Sequence, residues 1–360
     1  MAQLLTRRDF VQRSSLALAL MATSAGSSSA AEASSPKLKL GYDNFAVRAM
    51  KWKAARLIDY ADELKVDSLF ITDLDAFESH ETPHLKELRQ RAADKNVELQ
   101  VGTWSICPTS KSFRKNHGTA EEHLELGLRM ARDLGSPVLR VVLGSADDRK
   151  TDGGIEARIA DTVKVCQALR SRAVDCGVKV AVENHAGDMH SRELVTLVEA
   201  AGKDWVGVNI DPGNACWTME DPVENLEILG PYILTSSMRD SMVWESAEGA
   251  KVQWTAMGEG IVDLKTYMKR FATFCPKAPV HIETISGFAR EFPYLKASFW
   301  AQYPGLQGRD FSRFLALAKS GRPIEPHRSA NDVEEQAYQK GELERSLSYC
   351  KTVLGLGIRS

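Results

Sequence analysis

The sequence predicts an α/β fold, a (β/α)8 TIM barrel followed by a C-terminal helical extension. Three observations point there. After Pro36, short β-rich runs alternate with amphipathic stretches of helix length, the pattern of βα units around a parallel sheet. Eight such runs can be placed before residue 290, and eight units close into one barrel of about 250 residues. The competing open sheet that binds dinucleotides needs G-x-G-x-x-G after its first strand. Here that run continues as Gly41-Tyr42-Asp43-Asn44-Phe45, and no G-x-x-x-x-G-K-[ST] loop occurs elsewhere.

In chain order the strands are expected at Leu38–Tyr42, Ser68–Thr72, Glu98–Thr103, Val138–Leu143, Lys179–Glu183, Val206–Asp211, Ile233–Ser237 and Val280–Thr284. Each is rich in β-branched or aliphatic residues and bounded by polar or turn residues. Helices are expected at Met50–Leu64, Pro83–Lys95, Ala120–Leu134, Gly154–Asp175, Arg192–Ala201 and Leu264–Phe274, where apolar residues recur at helical spacing. The barrel is therefore assigned to residues 36–290. From Gly287 the composition changes: Phe292, Tyr294, Phe299, Trp300 and Tyr303 crowd together, then come Phe311–Lys319, a Pro- and Gly-containing connector and a last helix around Val333–Leu354. Residues 291–360 are expected to pack on the barrel wall or to form a subunit interface in a homo-oligomer, and the aromatic cluster is placed to wall one side of a site.

Residues 1–30 stand outside that fold. They read Met1-Ala2-Gln3-Leu4-Leu5-Thr6-Arg7-Arg8-Asp9-Phe10-Val11, then an apolar stretch from Leu16 to Ala25, then small residues to Ala30. Positive charge, a short apolar run and small residues are the order of a secretory signal. The Thr-Arg-Arg-x-Phe-Val run resembles the twin-arginine export motif, an address read by a receptor. The apolar stretch is about half the roughly 20 residues that a membrane span needs. Export to the periplasm is expected, with no membrane contact beyond it.

The 360 residues carry 46 Lys plus Arg against 48 Asp plus Glu, a formal charge of −2. Residues 1–30 contain three arginines and one aspartate, so the rest of the chain is slightly more acidic still. Nothing here attracts a polyanion, and a nucleic-acid partner is excluded on charge. The six cysteines fall at wide spacings without a CxxC pair, so buried free thiols are expected rather than a zinc knuckle or a redox pair.

Active sites of (β/α)8 barrels lie at the C-terminal ends of the strands. Three of the expected strands end in carboxylates, at Glu183, Asp211 and Glu283. Strand side chains alternate between faces, so Glu183 shares a face with Ala181, Asp211 with Asn209 and Gly207, and Glu283 with His281. The opposite faces carry Val180, Val182, Val208, Ile210 and Ile282, suited to packing under helices. Three converging carboxylates repel one another unless a cation or a proton lies between them, which suggests a divalent metal with oxygen ligands or a salt-bridged network with Arg140 and Arg239.

Glu183-Asn184-His185, Asp211-Pro212-Gly213-Asn214, Met257-Gly258-Glu259-Gly260-Ile261-Val262-Asp263 and Ile282-Glu283, taken in order, resemble the xylose isomerase-like TIM barrels, the sugar phosphate isomerases and epimerases, over roughly residues 38–290. The resemblance implies a metal site of Glu, Asp, His and Glu from successive strand ends, around manganese, magnesium, cobalt or zinc. By motif Glu183, Asp211 and Glu283 are three of those ligands. The family pattern at the next position is His-x-Lys-Asp, whereas this chain reads Ser237-Met238-Arg239-Asp240. Ser237 stands in the imidazole's place, and a hydroxyl is the poorer ligand for a transition metal.

The resemblance and the cluster together imply an exported, metal-dependent sugar isomerase or epimerase that removes a proton beside a carbonyl to give an enediolate. Glu183 and Glu283 are the candidate base and acid. His185, Asn214, Arg239, Trp104, His80 and Glu259 are candidates for holding the sugar, with Asp263 capping the helix after Glu259. A lyase or hydratase acting on keto-sugars or keto-glycosides begins with the same proton abstraction, and a non-catalytic sugar-binding relative is the reading that the missing His allows.

Overall fold

A ring of eight parallel strands organises residues 37–359, the part of the chain that the computed structural model describes; the expected export signal at residues 1–30 lies outside them. The barrel strands are β1 (Leu40–Asp43), β2 (Ser68–Ile71), β3 (Glu98–Ser105), β4 (Val138–Val142), β5 (Lys179–Glu183), β6 (Val206–Ile210), β7 (Ile233–Met238) and, after two strands described below, β10 (Val280–Ile282). Their order around the ring is β1-β10-β7-β6-β5-β4-β3-β2, and β2 pairs with β1 again. Gly41 closes the ring, opposite His281 on one side and Ser68 on the other. A Cβ at Gly41 would run into both neighbours, so the two side chains meet there only because glycine leaves the space.

The alternation expected for the strands is observed. Val180, Val182, Val206, Val208, Ile210, Val280 and Ile282 are buried in the main core beneath the helices. Their inward neighbours are polar: His281 pairs with Ser68, and Thr235 Oγ1 donates to Gln100 Oε1 at 2.5 Å. The helices between strands are α1 (Ala54–Glu63), α2 (Thr82–Asp94), α3 (Ala120–Leu134), α4 (Gly154–Cys176), α5 (Ser191–Ala201), the single turn α6 (Pro212–Ala215), α7 (Pro222–Leu229) and α8 (Leu264–Phe274). Three of them differ from expectation, the short α6 being one that was not foreseen. The helix expected from Met50 begins at Ala54, because Asn44–Met50 form a 3-10 segment capped by Asp43 that ends at Lys51 with φ 54°. Helix α7 was not foreseen, although Asp221 accepts from the N–H groups of Val223 and Glu224 and Pro222 opens the first turn, both recognised start signals.

A three-stranded antiparallel sheet also departs from the simple alternation. From β7 the chain passes into β8 (Asp240–Ser246) and β9 (Gly249–Thr255), and β11 (Ala289–Phe292) adds to β9. Val243, Val252, Trp254 and Phe292 pack with Phe299 and Tyr303 and with Phe314 of helix α9 (Gly308–Ser320) in a second apolar cluster. The aromatic crowd noted in the sequence thus builds a small core of its own.

The final helix, α10 (Asp332–Thr352), follows β10 in the position of the eighth barrel helix. Leu343, Leu347 and Cys350 join the main core, Gln339 Oε1 accepts from Ala49 N at 2.9 Å, and Tyr60 meets Glu344 at 3.2 Å. The tail is tied down too: Ile358 N and Arg359 N each donate to the Asp67 carboxylate at 2.8 Å. The helical C-terminal extension is therefore present, and its second half packs on the barrel. All six cysteines are buried and unpaired, and no helix among the described residues is long and apolar enough to cross a membrane.

Candidate active site

The carboxylates converge as the strand alternation requires. Glu183 ends β5, Asp211 directly follows β6, and Glu283 directly follows β10. One oxygen from each lies within 4.8 Å of the others, and all three residues are buried. A fourth carboxylate stands beside them: Asp43, at the end of β1, is buried and accepts from Thr72 Oγ1 at 2.7 Å and Phe45 N at 2.8 Å. The sequence reading passed over Asp43, yet it obeys the rule that singled out the other three.

Two of these groups are locked from below. Asp211 caps α6, its Oδ1 accepting from Gly213 N at 2.8 Å and Asn214 N at 3.1 Å, while Oδ2 accepts from Asn214 Nδ2 at 2.8 Å. Glu183 Oε2 accepts from Arg140 Nε at 2.6 Å and Asn209 Nδ2 at 2.8 Å, and Oε1 from Asn214 Nδ2 at 3.1 Å. The positive charges come from Arg140 on β4 and from Arg239, the residue after β7. Arg239 Nη2 lies 2.7 Å from Asp211 Oδ2 and also pairs with Glu283. The guanidinium lies 4.4 Å from the centre of the Trp254 ring, at the end of β9.

Four buried carboxylates thus face two buried guanidiniums. Burial pushes Asp43 up to about 6 and Asp211, against the pull of Arg239, up to about 7. Burial also holds Glu283 well above the usual carboxylate range. At Glu183 burial works the same way, but Arg140 and then His185 outweigh it and keep the group low. This is the expected contest between desolvation, which favours the neutral acid, and a neighbouring cation, which favours the carboxylate.

Above the cluster opens a cavity of about 350 Å³. Glu283, Arg140, Arg239, His185 and Trp104 reach it, walled by Trp254 and Phe288 from the inserted sheet and its flank. His185 Nδ1 lies 2.6 Å from the Gly144 carbonyl. A carbonyl can only accept, so that nitrogen carries the hydrogen and Nε2 keeps its lone pair. Burial lowers the ring to about 4, so it is neutral near pH 7.

Several sequence-predicted residues stand elsewhere. Glu183, Asp211 and Asn214 lie beneath the cavity floor, with Asn214 bonding the two carboxylates rather than facing the opening. Glu183 is thereby removed from the role of base in contact with substrate. Ser237 is fully buried, accepting from Asn209 Nδ2 at 3.1 Å and reaching Asp43 Oδ2 at 3.5 Å. His80 is turned to the Leu74 carbonyl at 3.0 Å, behind His117, which does line the cavity. Glu259 lies on the outer surface, 3.2 Å from Arg345. Its glycine-flanked loop is wrapped around the Asp240 carboxylate, which accepts from the N–H groups of Gly258, Gly260 and Val262, so the motif serves through its backbone. Asp263 caps α8 through Thr266 N, as expected. Trp254, Phe288, Arg114 and His117 are cavity residues that the sequence reading missed.

The spacing of the three carboxylates would let one cation touch them all, and the cation that pairs with two of them is Arg239. Every oxygen of Glu183 and Asp211 already accepts from a nitrogen donor, and Ser237 is turned toward Asn209 and Asp43. As these side chains stand they do not fit a resident divalent ion, and no chemical step is derived through one.

A (β/α)8 barrel with buried acids at its strand C-termini under an open cavity has the architecture of an enzyme. The chain belongs to the xylose isomerase-like TIM barrel family, whose model matches residues 39–297. It is 23% identical over 211 residues to 3-oxo-isoapionate decarboxylase of Pectobacterium atrosepticum, covering 58% of this chain and 69% of that protein. Among solved structures it resembles D-psicose 3-epimerase from Clostridium cellulolyticum H10, crystallised with D-tagatose, with a TM-score of 0.56 at 15% identity over 88% of this chain and 99% of that one. It also resembles a probable 3-DHS dehydratase from Bacillus anthracis, with a TM-score of 0.52 at 14% identity over 68% of this chain and 92% of that one. At such identities the two structures show the fold alone.

Proposed function

We propose that this protein is an enzyme acting on a keto-sugar, an isomerase or epimerase that removes the proton from carbon next to the carbonyl. The observation that carries the reading is the cavity floor: Glu283 is the only one of the four buried carboxylates that reaches the opening, and it does so beside two guanidiniums and a neutral imidazole. With the carbonyl oxygen toward Arg140 and Arg239, the Glu283 carboxylate takes the proton. The electron pair moves onto the oxygen, where fixed donors stabilise the developing charge. Burial holds Glu283 above the normal carboxylate range, which brings its basicity toward that of an effective proton carrier near neutral pH. His185 Nε2 offers a second proton station on the cavity wall.

A lyase on the same class of substrate is the second reading, favoured by a specific feature. Epimerisation through two flanking carboxylates needs both to touch the substrate, and Glu183 is sealed under Arg140, Asn209 and Asn214. The named relatives include a decarboxylase and a dehydratase as well as an epimerase, and all three reactions can pass through an enolate. If residues 1–30 direct export, the substrate is a free sugar or glycoside rather than a sugar phosphate.

The test is solvent deuterium exchange into a panel of keto-sugars, keto-glycosides and sugar acids, with product analysis. Wild type should introduce deuterium beside the carbonyl of at least one compound, and Glu283→Gln should slow that exchange by about 10²- to 10⁴-fold. Recovery of a rearranged sugar identifies the isomerase; carbon dioxide or an eliminated group identifies the lyase. Equal exchange by wild type and Glu283→Gln defeats both readings.

A further inference from the structure

We propose that Arg239 is the resident cation of this barrel: its guanidinium takes the place of a divalent metal between Asp211 and Glu283 and holds the substrate oxygen as that oxygen gains charge. The position is built for an arginine. Its stem passes directly over Gly213, where any Cβ would run into Arg239 Cγ, with Cδ only 3.0 Å away. Its plane is covered by Trp254 at 4.4 Å. Its Nη2 serves two of the three converging carboxylates. A side chain pinned at stem, face and tip is not a loose counter-ion that a metal would push aside.

The rest of the donor set agrees. Ser237, at the position of the family's imidazole, is turned to Asn209 and Asp43. The amide nitrogens of Asn209 and Asn214 and Nε of Arg140 supply the carboxylates with hydrogen-bond donors, none of which can ligate a metal. A doubly charged ion touching all three acids would stand within a few ångströms of Arg239 Nη2, like charge against like charge in a space that screens poorly. Arg239 also keeps a donor in reserve: its Nε–H is buried without a partner, and the residue lines the cavity. An unsatisfied buried donor costs stability, and a substrate oxygen would satisfy it. In the isomerase reading proposed above, the proton passes from carbon to Glu283, the electron pair of the broken C–H bond becomes the enediolate C=C bond, and the C=O π pair moves onto the oxygen held by Arg239. Glu283 then returns the proton to the former carbonyl carbon while the hydroxyl proton of the neighbouring carbon passes to the oxygen held by Arg239, which leaves the new carbonyl at that neighbour. Nothing further is consumed.

The test reads binding, so a failure of this assignment and a failure of the proposed reaction are told apart. The full chain is purified, its metal content measured, and Mn²⁺ alone titrated while free Mn²⁺ is followed by electron paramagnetic resonance. Thermal unfolding is recorded in parallel with EDTA and with Mn²⁺. Wild type should carry no stoichiometric metal, and its Tm should be the same in both. The double variant Ser237→His, Arg239→Lys, which restores the family pattern, should bind one Mn²⁺ per chain at least tenfold more tightly than wild type and gain Tm when Mn²⁺ is added. One tightly held ion per wild-type chain, with Tm falling on its removal, overturns the proposal. So does a folded double variant, with wild-type circular dichroism, that binds Mn²⁺ no better than wild type.

Discussion

A single imidazole shows how sharply residue-scale chemistry is set by position. His123, on α3, points at the cavity wall with its Nε2 2.6 Å from Thr103 Oγ1, while its Nδ1 has no partner. Burial, helped by the nearby His117, lowers it to about 4. In the unfolded chain a histidine titrates near 6.5, so between about pH 6.5 and pH 4 the unfolded state takes up a proton that the folded state refuses. Folding stability contributed by this group is therefore complete above pH 6.5 and lost as pH falls toward 4. His123→Gln removes that term, and urea midpoints at pH 7 and pH 4.5 should lie closer together for the variant than for wild type. An equal separation would count against a buried neutral His123. At this scale the sequence was readable where strand alternation alone decides, as at Glu183, Asp211 and Glu283. It was not readable where direction depends on partners far away in the chain: Glu259 turns outward because Asp240 has claimed the backbone of its loop.

The elements carry the same lesson at the next scale. Barrel strands were visible because their outer faces are apolar and mostly aliphatic, but β8 and β9 were not, although Asp240–Ser246 and Gly249–Thr255 are respectable strands. A search for βα units has no slot for a hairpin, and β11, which completes the sheet, is only four residues long. Yet this hairpin delivers Trp254 to the arginine. Trp254 also stacks on Trp217 with ring centres 4.0 Å apart and meets Phe288 edge-on, so one side chain ties the inserted sheet, the α6 region and the cavity wall together. Trp254→Ala should cost about 3–5 kcal/mol in chemical denaturation, the usual range for emptying a buried aromatic site. A loss under about 1 kcal/mol would mean that the sheet does not depend on this stack.

For the whole molecule, composition marks the extension that begins near residue 290, and packing shows its last helix lying against the barrel. Composition changes where the aromatic insertion begins and the last helix is legible beyond it, but its seat against β1 and β10 depends on contacts far apart in the chain. A chain stopped after residue 331 should therefore fail to fold, seen as lost near-ultraviolet circular dichroism and aggregation; a soluble, cooperatively melting product would contradict that role for α10. The closure of the ring also governs when folding can finish. Leu40 of β1 pairs with Val280, and the helix that covers this seam is the last to be made. At about 5–20 residues per second of synthesis, β1 leaves the ribosome long before β10 exists to receive it. For that interval one flank of β1 is an unsatisfied strand edge, the kind of surface on which chains mispair, and most of the ordering entropy is spent before the final contacts can return it. The seam between the first and last strands is thus a kinetic liability as well as a structural joint. Aggregation during synthesis should be governed by how quickly the final eighty or so residues follow, more than by the stability of the finished barrel.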